Sequence, residues 1–426
     1  MRATLSRWFR KGSLAAADQV VFSAAGFVSS VLIGRWTVPE TYGRYALMLG
    51  WFYLFASAYT GLVVDPVLVL GPTRFKDRAG RYVGAVFGIH LAVSVAVVVV
   101  VGLARLAAGV AGAGVGVADA ALSIAVGLAG LHLLYLAKRA LYVRGQLAAS
   151  TWTSVVYGVV LVAAIAMLHA WRVLGPETAF YATAVAGAAA CAAGLPAAGI
   201  DASGALDRAL LGRVAQEHTS YGGWLAGTEV TTSVQGLVFL GVVGGLAGAA
   251  TLGGMRALQN LYSPIMRLVT AISMVALPRV AGRVEAAGER AGAKDALAVS
   301  VAFAAPAALW SAVMLIAPGW LVSVLYGGVY DSYAPMLRWL AVVPLAMGLA
   351  SGAAVLLRAV RRPKVILKVK LASGVVMVLG GWALTAWRGG EGAFIALAAY
   401  YAVDTALLWW LALRRPRSGA AEAVPA

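Results

Sequence analysis

Long apolar windows recur through this chain and leave almost no room for anything else. They fall at roughly 14–35, 43–64, 82–104, 116–137, 149–170, 177–198, 219–243, 247–277, 296–317, 333–356, 365–387 and 392–413. A bilayer core of about 30 Å needs roughly 20 apolar residues per helix, and each window meets that length. The connections between windows are short, so no extramembrane catalytic domain fits. β-barrel spans would alternate apolar and polar residues over about ten positions, and no such alternation is present. Only 12% of the residues are charged and 62% are hydrophobic, with mean hydropathy +0.85. A soluble domain carries about a quarter charged residues. The sequence therefore predicts an all-α integral membrane protein of about twelve transmembrane helices.

Basic residues set the expected orientation, because Lys and Arg concentrate in cytoplasmic loops. Counting from an inside N-terminus, most of the 34 basic residues fall in alternate connections. Those connections include Arg74, Lys76, Arg78 and Arg81; then Lys138, Arg139 and Arg144; then Arg358, Arg361, Arg362, Lys364, Lys368 and Lys370. Both termini are thus expected in the cytoplasm. The basic MRATLSRWFRKGS start leads into an apolar run too long for a signal-peptide core, so it reads as an uncleaved first helix. The net charge of +17 is accounted for by this topology and by anionic headgroups, without nucleic acid as a partner.

One constant offset matches Val20 with Val230, Ser23 with Ser233, Gly26 with Gly236, Gly34 with Gly244 and Gly43 with Gly253. With the helix count, this points to two pseudo-symmetric six-helix halves. The expected division is an N-terminal lobe over 1–200, an inter-lobe linker over 201–216, a C-terminal lobe over 217–414 and a tail over 415–426.

A charge inside a spanning helix costs several kcal/mol, so each one is a functional candidate. Asp18, Glu229, Arg256, Arg267, Arg338 and Asp404 are such charges, with Asp65 at a helix end before Pro66. In the eighth window Arg256, Gln259, Asn260, Ser263 and Arg267 share one helical face. A polar stripe of this kind faces other helices or a wet cavity. Two guanidiniums with amides between them suit an anionic ligand bearing phosphates and hydroxyls. The plainer reading is that each Arg pairs with Glu229 or Asp404 and holds the bundle together. Asp18 and Glu229 would either bind a coupling cation or counter an arginine. The single cysteine, Cys191, reads as a small packing residue, and the four histidines have no metal-ligand spacing. No phosphate loop, GxSxG or HExxH motif is present, so neither a cofactor nor enzymatic activity is expected.

Three segments carry a resemblance: AADQVVFSAAGFVSSVLIGRWTVPETYGRYAL near the start, GGMRALQNLYSPIMRLVTAISMVALPRVA in the eighth window, and APGWLVSVLYGGVYDSYAPMLRWLAVVPLAMGLASGAAVLLRAVRRPK around the tenth. They resemble polysaccharide flippases of the Wzx type, within the multidrug/oligosaccharidyl-lipid/polysaccharide exporter superfamily. The resemblance implies a multi-pass protein of the bacterial cytoplasmic membrane that moves an undecaprenyl-pyrophosphate-linked oligosaccharide from the inner to the outer leaflet by alternating access. A polysaccharide polymerase or ligase would act next, towards O-antigen or exopolysaccharide. Arg256, Arg267, Gln259 and Asn260 would receive the pyrophosphate and sugar, with Arg44 near the outer mouth. Asp18 and Glu229 would couple transport to an ion gradient. The competing reading is a drug or metabolite exporter of the related multidrug-and-toxin type, which takes cationic amphiphiles. A membrane enzyme acting on lipid-linked glycans would need larger, charged outer loops, and a passive scaffold would not need intramembrane charges.

Overall fold

A peptide group inside a bilayer has no water to bond, so a chain this apolar must satisfy its backbone internally. The computed structural model does so with helices, and there is no strand among the described residues. The structure describes residues 2–414. The side chains of residues 2–12, 15, 224, 225, 228, 266–275 and 363 lie outside the described set, as does the predicted tail over 415–426. Eleven helices among the described residues are long and apolar enough to cross a membrane, and the chain is a multi-pass membrane protein.

The helices pack as two units. Unit 1 comprises Met1–Asn260 with Leu325–Tyr330, and unit 2 comprises Leu261–Val324 with Asp331–Ala426. Unit 1 contains α1 (Arg2–Trp36), α2 (Pro39–Tyr59), α3 (Pro66–Thr73), α4 (Ala79–Val110), α5 (Gly116–Val143), α6 (Leu147–Ala170), α7 (Pro176–Ala198) and the first part of α8 (Arg208–Ile316). The remainder of α8 and most of α9 (Pro318–Tyr326) belong to unit 2, followed by α10 (Leu337–Leu340), α11 (Val342–Ala359), α12 (Pro363–Arg388) and α13 (Gly390–Leu413).

The 109 residues of α8 would reach about 160 Å as a straight helix, several bilayers deep. Two glycines prevent that. Gly248 and Gly288 hold φ of +83° and +80°, in the left-handed region that favours glycine. A Cβ on Gly244 would press on Leu252, and one on Gly292 would press on Val284. Residues eight positions apart lie about 12 Å apart along a straight helix, so the chain folds back at each glycine. Helix length and hydropathy mark two spans here, Glu229–Ile265 and Ala276–Ile316. The two turns divide the same segment into three arms.

Between α2 and α3, Thr60–Val64 widens into one π-helical turn, with Asp65 N bonded to Thr60 O at 2.9 Å. Pro66 follows at once. Its ring and missing N–H disrupt the regular ladder, and the wider turn absorbs the misfit.

In unit 1, α4 is buried over its first third alone, at Tyr82, Val83, Gly84, Ala85, Val86, Phe87 and His90. The connection after α7 docks there. Asp201 N bonds Gly80 O at 3.1 Å, and Arg81 pairs with Asp207 at 2.9 Å. A side chain on Gly84 would collide with the Asp201 carbonyl, and one on Gly204 with the Arg81 carbonyl. Helices α5 and α7 approach as closely, through Gly130 against Ala184 and Gly187. Unit 2 is centred on Val280, Ala296, Val355 and Leu356, where Gly352 meets the Ala296 carbonyl.

Candidate functional site

Small residues bring α8 onto α2 within unit 1. A Cβ on Gly43 would collide with the Ala249 carbonyl, and one on Gly253 with the Pro39 carbonyl. This close approach carries Asn260 to Tyr42. Asn260 Nδ2 lies 2.9 Å from Tyr42 OH, 3.0 Å from Tyr326 OH and 3.2 Å from Ser30 Oγ. Ser30 Oγ and Tyr42 OH are 2.8 Å apart, and Tyr326 OH donates to Ala257 O at 2.9 Å. Asn260 is only 3% exposed. Its amide, one of the predicted ligand groups, is thus taken up in tying α1, α2, α8 and α9 together.

Arg256 lies one helical turn before Asn260. Its guanidinium is within electrostatic reach of Tyr42, Tyr45, Tyr53 and Tyr326. Among the described residues no carboxylate forms an ion pair with it. Its Nε is buried and has no hydrogen-bond partner among the described residues. Arg256 and Gln259 line a small pocket of about 60 Å³ with Ala46, Leu49, Gly50, Tyr53, Leu240 and Leu252. The volume holds about two waters. A whole substrate does not fit it.

Of the other charges, Asp18, Asp65, Arg338 and Asp404 are paired. Asp18, 2% exposed, accepts from Lys138 Nζ and Tyr142 OH at 2.8 Å each, from Ser150 Oγ at 2.9 Å, and from Ser154 Oγ. Lys138, counted above in an inner connection, is instead buried on α5. The same correction applies to Lys370, on α12, which pairs with Asp404 at 2.7 Å while Ser373 donates to the other carboxylate oxygen. Arg139 pairs with Asp65 at 2.9 Å, and Arg338 with Glu391 at 2.6 Å. A signal for the Asp18 network was present in the sequence. Ser150 and Ser154 are one helical turn apart and face the same way.

Glu229 is exposed on α8 and forms no ion pair among the described residues. The side chain of Arg267 lies outside the described residues. Arg44 is exposed and lines a different, larger cavity on the far side of α2 from Arg256. Among the described residues no cluster of His, Cys, Asp or Glu is arranged to hold a metal ion. His218, on α8 ahead of its first apolar span, is 5% exposed and bonds Tyr82 OH through Nε2 at 2.7 Å. Burial pushes its pKa down to about 4, against a smaller upward pull from Glu217.

No protein-family model matches the sequence. No curated protein matches it either. Solved structures do share its fold. An inward-facing multidrug resistance MATE family transporter of the MOP superfamily superposes with TM-score 0.69, at 15% identity, over 92% of this chain and 93% of its own. The lipid II flippase MurJ, in an inward closed conformation, gives 0.66 at 10% identity over 95% and 88%. A MOP superfamily transporter from Pyrococcus furiosus, for which reverse polarity of the binding pocket suggests a different function, gives 0.60 at 15% identity over 95% and 94%. The chain therefore has the all-helical fold of these MOP-superfamily proteins.

Proposed function

We propose that this chain flips an undecaprenyl-pyrophosphate-linked oligosaccharide from the inner to the outer leaflet of the bacterial cytoplasmic membrane by alternating access, for O-antigen or exopolysaccharide synthesis. The observation that supports this most is Arg256, a guanidinium inside the apolar part of the chain with no ion-paired carboxylate among the described residues. A half-buried cation in this state attracts phosphate and repels a cationic drug. Gln259 beside it supplies a carboxamide to hydrogen-bond hydroxyls. Arg267, one helical face further along, would be the second phosphate contact, and Asn260 fixes the turn that carries Arg256. Arg44 would meet the headgroup at another stage of the cycle. Two of the three fold relatives above frame the substrate question, since one is a lipid II flippase and the other a multidrug transporter.

In this reading the three arms of α8 complete twelve spans, in two six-helix halves joined by 201–216, with both termini cytoplasmic. Asp18, held by a lysine and three hydroxyls, and Glu229 couple the cycle to an ion gradient. A polysaccharide polymerase or ligase takes the product. The test is complementation of glycan export in a strain lacking the native gene. Arg256→Ala and Arg267→Ala are expected to abolish export at undiminished membrane abundance, and full export by both would overturn the assignment.

One observation favours the second reading, export of cationic amphiphiles. Glu229 is an exposed carboxylate without an ion pair among the described residues. Purified protein that binds a lipophilic cation in a Glu229-dependent way, and ignores a pyrophosphate lipid, would decide for it.

A further inference from the structure

Helix α4 leaves the body of unit 1 after His90. Its later residues Val95, Val99, Val100, Leu103 and Leu106 are all exposed. Between this free part of α4 and the facing sides of α2 and α5 lies a cavity of about 920 Å³, at the upper end of the range for ligand sites. It extends from Arg44, Gly116 and Glu177 at one end to Tyr59, His90 and His132 at the other. Along α2 that is about 22 Å, so the cavity is a slot running along the helices. Its walls are apolar, among them Leu47, Phe55, Val93, Val97, Ile124 and Leu128.

The deep end is closed. Tyr59 OH bonds His90 Nδ1 at 2.7 Å, His90 Nε2 donates to Ala129 O at 3.0 Å, and His132 Nδ1 donates to Leu128 O at 2.8 Å. Water needs two to four polar partners to stay in a cavity, and the shaft of this one offers almost none. Hydrocarbon is the solvent that fills such a slot in a bilayer. The open end adds a charge. Arg44 forms no ion pair among the described residues, although Glu177 lines the same end.

We propose that this slot is a binding site for one polyprenyl chain, with its phosphate at Arg44 and its tail against α4 and α5 down to the His90–Tyr59 pair. The choice of polyprenyl phosphate over a two-chain phospholipid rests on the function proposed above. The requirement for a hydrocarbon occupant does not. The slot then holds the tail and the Arg44-bound phosphate on the opposite side of α2 from Arg256, so that one helix carries a lipid station on one face and a second phosphate contact on the other.

The test uses the full chain in phosphatidylcholine nanodiscs with a diazirine-bearing polyprenyl phosphate. Light-induced adducts are expected on the walls of α2, α4 and α5. Val97→Trp combined with Ala121→Trp should reduce them about tenfold, and Arg44→Gln should do the same for the phosphate probe while leaving labelling by uncharged polyprenol unchanged. The smaller Ala125→Leu keeps the test valid where the double variant unfolds, with thermal unfolding as the check. Adducts confined to other helices, labelling indifferent to the filled slot, or displacement of the probe by phosphatidylglycerol as readily as by unlabelled polyprenyl phosphate would each overturn the proposal. Export that still depends on Arg256 while the slot stays unlabelled would sink this site alone and leave the transport reading standing.

Discussion

Lys138 Nζ lies 2.8 Å from Asp18 Oδ1, joining residues 120 positions apart at a point where both are buried. A pair this deep is costly to break and cheap to replace. Removing one partner strands the other charge, whereas exchanging both for apolar groups is often neutral. Asp18→Asn is expected to destabilise the protein by about 3–5 kcal/mol. Asp18→Leu with Lys138→Met should recover most of that in thermal unfolding. If Asp18 also couples transport, the stable double variant will not respond to an imposed proton or sodium gradient in proteoliposomes. A gradient response equal to wild type would remove Asp18 from the coupling role.

The Asn260 amide meets three hydroxyl oxygens, and apolar replacement leaves them with fewer partners. Asn260→Leu should cost about 1–3 kcal/mol, while Tyr42→Phe, which removes the bonds to Ser30 and Asn260 and keeps the ring, should cost less, about 1 kcal/mol. Chemical or thermal unfolding in detergent measures both. Equal costs would mean that the amide is not the hub of the network.

Gly248 isolates a backbone effect from a packing effect. No atom lies within reach of a Cβ there, but its φ is +83°. Gly248→Ala should therefore lose about 1–2 kcal/mol through the left-handed backbone alone. Gly245 is equally open and has no positive φ, so Gly245→Ala should be neutral or stabilising by up to about 1 kcal/mol. Paired melting curves decide the point, and two equal shifts would contradict the turn.

His218 gives a pH dependence with a definite sign. Its folded pKa of about 4 lies below the unfolded value of 6.5, so the unfolded chain binds the proton first. Its contribution to stability is complete above pH 6.5 and is lost as pH falls towards 4. The full loss is roughly 3 kcal/mol. Melting curves of wild type and His218→Gln should converge as the pH drops through this window. Parallel curves would show that His218 is not held neutral.

The spans and the Arg256–Gln259–Asn260 stripe were legible because both are local. Run length and helical period are written in consecutive residues. The pairings were less legible because they are not. Lys138 and Lys370 look like loop charges when basic residues are counted along the chain, yet each meets an aspartate on another helix. Nothing near Asn260 in sequence announces Tyr42 or Tyr326 as its partners. The reversal at Gly248 is hidden among helical glycines that share its surroundings, and only its φ distinguishes it. Neither the compact division at Asn260 nor the free stretch of α4 follows from hydropathy, because lipid-facing and cavity-facing valines read alike.

The Lys138–Asp18 and Lys370–Asp404 pairs have an electrical consequence. An unpaired elementary charge crossing a membrane potential of 100 mV gains or loses about 2.3 kcal/mol. A lysine bonded to an aspartate travels as a dipole of zero net charge. One pair lies within each unit, so the potential performs no net work on either when that unit moves, whatever the direction of the movement.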